Sequence, residues 1–165
     1  MQEATLPFIA NTDHAWFDYL AEVSRFRRDL LDEVNFWQPS GQRPMKTMLP
    51  GAVVFFRLKA ERAAIGGYGF FSQFKVLPLS LAWDVFGVKN GDPDEARFLR
   101  RIGGYRGADL LDPRVVATPL ACNVLRNAVF WPRERWIPWG EREGWHRNVV
   151  QGATVTDVAQ RERLL

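Results

Sequence analysis

PGAVVFFRLKAERAAIGGYGFFSQFKVLPL, residues 50–79, is the stretch on which the reading of this chain turns. Two apolar runs, residues 52–58 and 63–76, flank the short charged link Lys59-Ala60-Glu61-Arg62. Alternation with β-branched and aromatic residues predicts two strands, and the polar link predicts their hairpin. The second arm carries Gly66, Gly67 and Gly69 among Tyr68, Phe70, Phe71 and Phe74. Glycine weakens a strand, so three of them mark bulges, a barrel corner, or a close approach of backbone or ligand. Small barrels need such corners.

Working outward, residues 6–10 form a short apolar strand ending in Asn11-Thr12-Asp13. Thr12 or Asp13 is the expected N-cap of a helix with Trp16, Phe17, Leu20 and Val23 on one face, ending in the basic run at 25–28. Residues 34–38 form a second strand, closed by the turn at 39–42 and a loop at 43–49. Beyond the hairpin, residues 79–86 predict a short helix with Leu79, Ala82, Trp83 and Phe86 on one face. The loop Asn90-Gly91-Asp92-Pro93 precedes a helix at about 94–102. Residues 103–113 are expected to be irregular, 121–131 to be a long strand, and 136–150 a loop with a short strand. Residues 154–165 are read as a terminal helix or the start of a linker. Short strands with helices at the edges give an α+β class, with a small β-barrel as core.

At 165 residues and 47% hydrophobic content the chain is expected to be one domain, residues 1–165, with a substantial core. Seven Trp and twelve Phe exceed what that core readily absorbs, so some aromatic surface is expected to bind something. A lone Cys122 excludes an intramolecular disulfide and suits a reducing cytoplasm. No apolar run approaches the ~18 residues of a membrane-spanning helix, and the first residues carry no signal-peptide pattern. A net charge of +3 is compatible with an anionic partner without demanding one.

Catalytic and metal chemistry find little support. His14, His146 and Cys122 lack the paired spacings of a zinc site, and Cys122 within an apolar strand reads as an inert buried thiol. The Gly66–Gly69 cluster does not match a phosphate-cradling loop. No cofactor is expected. Binding chemistry is better represented: Asn11-Thr12-Asp13, Trp37-Gln38-Pro39-Ser40 and Phe70-Phe71-Ser72-Gln73-Phe74 all sit at strand ends or follow the glycines. Converging on one barrel mouth, they would set aromatic faces beside amide and carboxylate groups, which is what an extruded base requires. Most of these aromatics are core by default; Trp37, beside a polar turn, is the strongest candidate for contact. Arg25, Arg27, Arg28, Arg100, Arg101, Arg106, Arg133 and Arg135 are either solvated surface or holders of phosphates.

The ordered segments FIANTDHAWF (8–17), VNFWQPSG (34–41), Pro50-Gly51, LPLSLAWDVFG (77–87), FWPRERWIP (130–138) and NVVQG (148–152) resemble the N-terminal domains of HNH restriction endonucleases. Such domains are similar to the EVE, SRA and YTH modules of the PUA superfamily, small barrels that read modified bases in DNA or RNA. The resemblance covers nearly the whole chain. It implies base-pocket roles for Asn11, Asp13, Trp16, Trp37, Gln38 and Phe71, with double-stranded DNA carrying modified cytosine as partner. It also implies an HNH nuclease half, which two isolated histidines cannot supply, and a nuclease parent that dimerises to cut both strands. The chain is therefore expected to be a non-catalytic targeting module. The alternatives are a stand-alone PUA-like RNA- or nucleotide-binding module and, with least support, an enzyme with a cryptic site.

Overall fold

The computed structural model describes residues 5–39, 48–106 and 118–165. Among these, seven strands form one sheet: β1 (Phe8–Thr12), β2 (Glu33–Gln38), β3 (Val53–Leu58), β4 (Ala64–Pro78), β5 (Pro119–Phe130), β6 (Ile137–Pro138) and β7 (Gly152–Thr154). The order is β2-β5-β4-β3-β1-β7, with β6 on β4. Helix α1 (His14–Phe26) follows β1, α2 (Leu79–Phe86) and α3 (Glu95–Arg106) follow β4, and α4 (Val158–Leu164) closes the chain. No helix among the described residues is long and apolar enough to cross a membrane.

The hairpin is the spine. β3 and β4 pair antiparallel from Val53↔Phe70 to Leu58↔Ala64, and the fifteen-residue β4 continues alone along β5 to Pro78↔Pro119. Register shifts at Phe56/Arg57 and Tyr68/Phe70 bend the ladder where the glycines lie, as bulges do, and a third follows at Phe71/Gln73. Gly67 shows why no side chain is tolerated there. A Cβ would stand 2.1 Å from the Val129 carbonyl oxygen, a backbone atom of the neighbouring strand.

β1 runs parallel to β3, from Phe8↔Val54 to Thr12↔Leu58, so the C-terminal ends of both strands open on the same side. Both faces of this pair are covered. Phe8, Ala10, Val54, Phe56 and Leu58 enter the main core with Trp16, Phe17 and Leu20 of α1. Ile9 and Phe55 face a smaller cluster of Ile65, Trp139, Trp145, Val155 and Leu164. A strand buried on two sides is continuously apolar, which accounts for the VVFF run.

Several boundaries differ from expectation. The first strand lies two residues later than predicted, so Asn11 and Thr12 belong to the sheet. Asp13 is the cap: Oδ1 accepts from Ala15 N at 2.8 Å and Trp16 N at 3.1 Å. α3 runs on through Gly103 and Gly104 to Arg106, because Phe98, Ile102 and Tyr105 keep helical spacing and Phe98 and Ile102 are fully buried. The last segment is a helix, capped by Asp157. Most of the turn and loop expected at 39–49, and of the irregular run at 103–113, lie outside the described residues.

Gly67→Ala is expected to cost roughly 1–3 kcal/mol or more, since the neighbouring carbonyl cannot rotate away. Urea denaturation of the purified variant measures it, and an unchanged midpoint would show that β4 and β5 separate freely there.

Candidate functional site

The shared outlet of β1 and β3 carries a cavity of about 210 Å³ lined by residues of β1, β2, α1, α3 and the loop before β7. Its walls include Trp16, Phe36, Trp37 and Tyr105; its polar groups include Asn11, Asp13, Gln38 and Lys59. Five of the six residues given pocket roles from the sequence meet here. Phe71 does not. It is buried in the main core, and its backbone bonds Gly51 and Ala52 at the start of β3, whereas the cavity lies at that strand's other end. Of the three strand ends expected to converge, the 70–74 segment is the one left out.

Trp37 and Trp16 are held by hydrogen bonds rather than by packing alone. Trp16 Nε1 donates to the Asn35 carbonyl at 3.0 Å, and Trp37 Nε1 to the Asn90 carbonyl at 2.8 Å. Asn35 Nδ2 donates to Asn90 Oδ1 at 2.8 Å, and Asn90 Nδ2 donates to the carbonyls of Ala82 and Gly87. This buried amide chain docks the segment after α2 against β2 and fixes both indoles. Gly91, at φ +86°, follows because a Cβ there would stand 2.2 Å from Trp16 Cδ1.

The polar residues divide into engaged and free. Asn11 Nδ2 donates to the carbonyls of Val149 at 2.8 Å and Val150 at 3.2 Å, and its Oδ1 accepts from Arg57 Nη1 at 3.0 Å. It shapes the wall. Asp13 caps α1 and also accepts from the Tyr105 hydroxyl and Arg101. Burial pushes its carboxyl up, but Tyr105, the helix N–H groups and Arg101 outweigh that and leave it below the usual value. Gln38 is different. It is 6% exposed, and its Oε1 is buried without a hydrogen-bond partner among the described residues. A sealed, unanswered acceptor costs roughly 1–3 kcal/mol in the empty protein.

Beneath the rim, Arg101 bridges Asp13 at 3.5 Å and Asp92 at 2.7 Å. Burial is the main cause that raises the Asp92 carboxyl to about 6; Arg101 opposes it, while Asp13 and Asp94 add to it. Burial and the hydrogen bond to Asp13 push the Tyr105 hydroxyl well above an ordinary phenol. Arg101 is thus engaged by carboxylates, and Arg106 donates to the carbonyls of Pro39 at 2.7 Å and Pro119 at 2.8 Å. His14 Nε2 donates to the Lys59 carbonyl at 2.9 Å and so fastens the hairpin loop to α1. Cys122 is fully buried, and burial raises its thiol to about 11. Among the described residues no group of three or more His, Cys, Asp or Glu could hold a metal ion.

Sequence reasoning missed Tyr105, Phe36, Lys59, Val150 and Gln151. For Tyr105 a signal existed: it stands three residues after Ile102 and seven after Phe98, on the buried face of a helix whose two glycines obscured it. Half exposed, it is the most accessible ring in the cavity, with Lys59 Nζ 6.0 Å from its centroid.

No protein-family model and no curated protein matches the chain by sequence. Solved structures do match by shape. Two mutant forms of the ZmASCH protein from Zymomonas mobilis superpose with TM-scores of 0.58 and 0.57 at 6% and 7% identity. Each comparison covers 96% of this chain, with 95% and 93% of the other. The chain thus shares the fold of these structures, in the α+β class with peripheral helices that the sequence leads one to expect.

A carboxyl whose folded value is raised binds its proton more tightly in the native state, so its ionisation costs stability as pH climbs. Asp92→Asn is therefore expected to gain on the parent between pH 4 and about 6 and to hold that gain above, read from paired urea titrations. A difference that is flat across this range would contradict the burial assigned to Asp92.

Proposed function

We propose that this cavity receives a single unpaired or extruded nucleobase, which makes the chain a base-binding module for nucleic acid or nucleotides. The observation that carries the reading is Gln38 Oε1, a buried acceptor without a partner among the described residues, in a cavity whose walls include four aromatic side chains. A base supplies ring faces for such walls and an exocyclic or ring N–H for such an acceptor. The volume supports one small ring system: about 210 Å³ falls below the roughly 300–1,000 Å³ of clefts for drug-sized ligands. The PUA-like barrel is a frame in which RNA or nucleotide binding is one form of this function. The finer form favoured by the sequence resemblance is modified cytosine in duplex DNA, read by an EVE- or SRA-like domain that targets an HNH nuclease. That form rests on the resemblance alone.

Fluorescence anisotropy separates the forms. Matched duplexes would carry cytosine, 5-methylcytosine, 5-hydroxymethylcytosine or its glucosylated derivative, beside single-stranded RNA of the same sequence, at two salt concentrations. The expected result is a preference for one of them that salt weakens without abolishing. Gln38→Leu is expected to lower that affinity about tenfold, with no loss of melting temperature because an unanswered polar atom is removed. Equal binding of every probe by parent and variant alike would overturn the base-pocket reading. A clear preference for RNA would overturn the modified-DNA form only.

A further inference from the structure

A second cavity, of about 470 Å³, adjoins the first and shares Asn11, Lys59 and Val150 with it. Arg57 lines it, although only 8% of the residue is exposed. Its Nε donates to the Trp139 carbonyl at 2.8 Å, its Nη1 donates to Asn11 Oδ1, and its guanidinium carbon lies 5.0 Å from the centre of the Trp145 ring. Every one of these partners is neutral. Among the described residues no carboxylate forms an ion pair with Arg57, and Nη2 has no hydrogen-bond partner.

The acids nearby are otherwise engaged. Glu143 Oε2 accepts from Gly140 N at 2.7 Å, and Glu141 pairs with Arg147 at 2.9 Å. Lys59 and Arg147 add positive charge to the lining, against Glu141 alone. A guanidinium carries five N–H groups, and burying it without an ion pair is unfavourable: burial lowers the basicity of Arg57, and the Glu143 carboxylate, which forms no ion pair with it, offsets only part of that.

We propose that this second cavity is an anion subsite that takes the phosphate of a nucleotide whose base occupies the first. The inference rests on the base-binding reading and extends it. Neutral acceptors clamp two nitrogens of Arg57, so the remaining edge of the planar group is held ready for phosphate oxygens. Asn11 joins the two cavities: one side of it walls the base site, and its Oδ1 orients Arg57. The phosphate belongs either to a free nucleotide or to the chain of a nucleic acid; the chemistry is shared.

Isothermal titration with the common nucleosides, their 3′- and 5′-monophosphates and the corresponding dinucleotides tests it. A monophosphate is expected to bind about tenfold or more tightly than its nucleoside, with a salt dependence the nucleoside lacks. Dinucleotides that bind as tightly would assign the subsite to a chain phosphate; weaker ones would assign it to a free nucleotide. The ratio of monophosphate to nucleoside affinity is expected to fall toward one in Arg57→Gln and to drop in Lys59→Ala and Arg147→Ala. The last two keep the test decisive if Arg57→Gln does not fold. Nucleoside binding without a gain from phosphate, or a ratio unchanged in all folded variants, would overturn the subsite and leave the base pocket standing. Failure of both nucleosides and nucleotides to bind would overturn both.

Discussion

Trp16 is the side chain on which the rest of the molecule depends. Its backbone N–H receives the Asp13 cap, which starts α1 at the edge of the barrel. Its ring meets Phe36 at 5.2 Å and Phe56 at 5.3 Å between centroids, both edge-on, and Phe130 at 6.0 Å. Its indole nitrogen holds β2 through Asn35, and the same five-membered ring leaves no room for a side chain at Gly91. Helix start, barrel interior and cavity floor therefore share one residue. Edge-to-face aromatic contacts add roughly 0.5–1.5 kcal/mol each to the area they bury, so this position is both heavily stabilising and geometrically strict.

The cavity above it illustrates how a polar lining divides its labour. Asn11 and Asp13 look like recognition groups in the sequence, yet their hydrogen bonds run inward, to the loop before β7, to Arg57, to Tyr105 and to the helix N-terminus. One guanidinium, Arg101, meets two carboxyls that move in opposite directions. Asp13 falls because several donors answer it, and Asp92 rises because burial outweighs the single ion pair. Such groups fix shape. Gln38 Oε1 and the Lys59 side chain, by contrast, carry no such inward hydrogen bond among the described residues.

Much of this was legible in the residues. The hairpin, the glycine corner and a first helix capped at Thr12 or Asp13 follow from alternation and capping chemistry, strand ends point to Asn11, Asp13, Trp37 and Gln38, and the grouping of Trp16 with them comes from the family resemblance. The errors have a common cause. Phe71 follows the glycines along the chain, but nearness to them says nothing about which end of β3 it pairs with. Tyr105 was passed over because two glycines lower helix propensity locally, while burial of Phe98 and Ile102 outweighs that cost.

The sequence by itself determined the local vocabulary: which runs become strands, where α1 is capped, and that many aromatic rings must be shared between core and cavity. These depend on neighbours within a few residues. Only the tertiary structure decided that β1 lies parallel to β3, that both faces of this pair are buried, and that Arg57 sits beside Asn11 with no ion pair among the described residues. Those facts come from pairings between strands more than forty residues apart. A parallel register leaves no turn in the chain to announce it, so the two adjoining cavities emerge only when β1 is laid against β3.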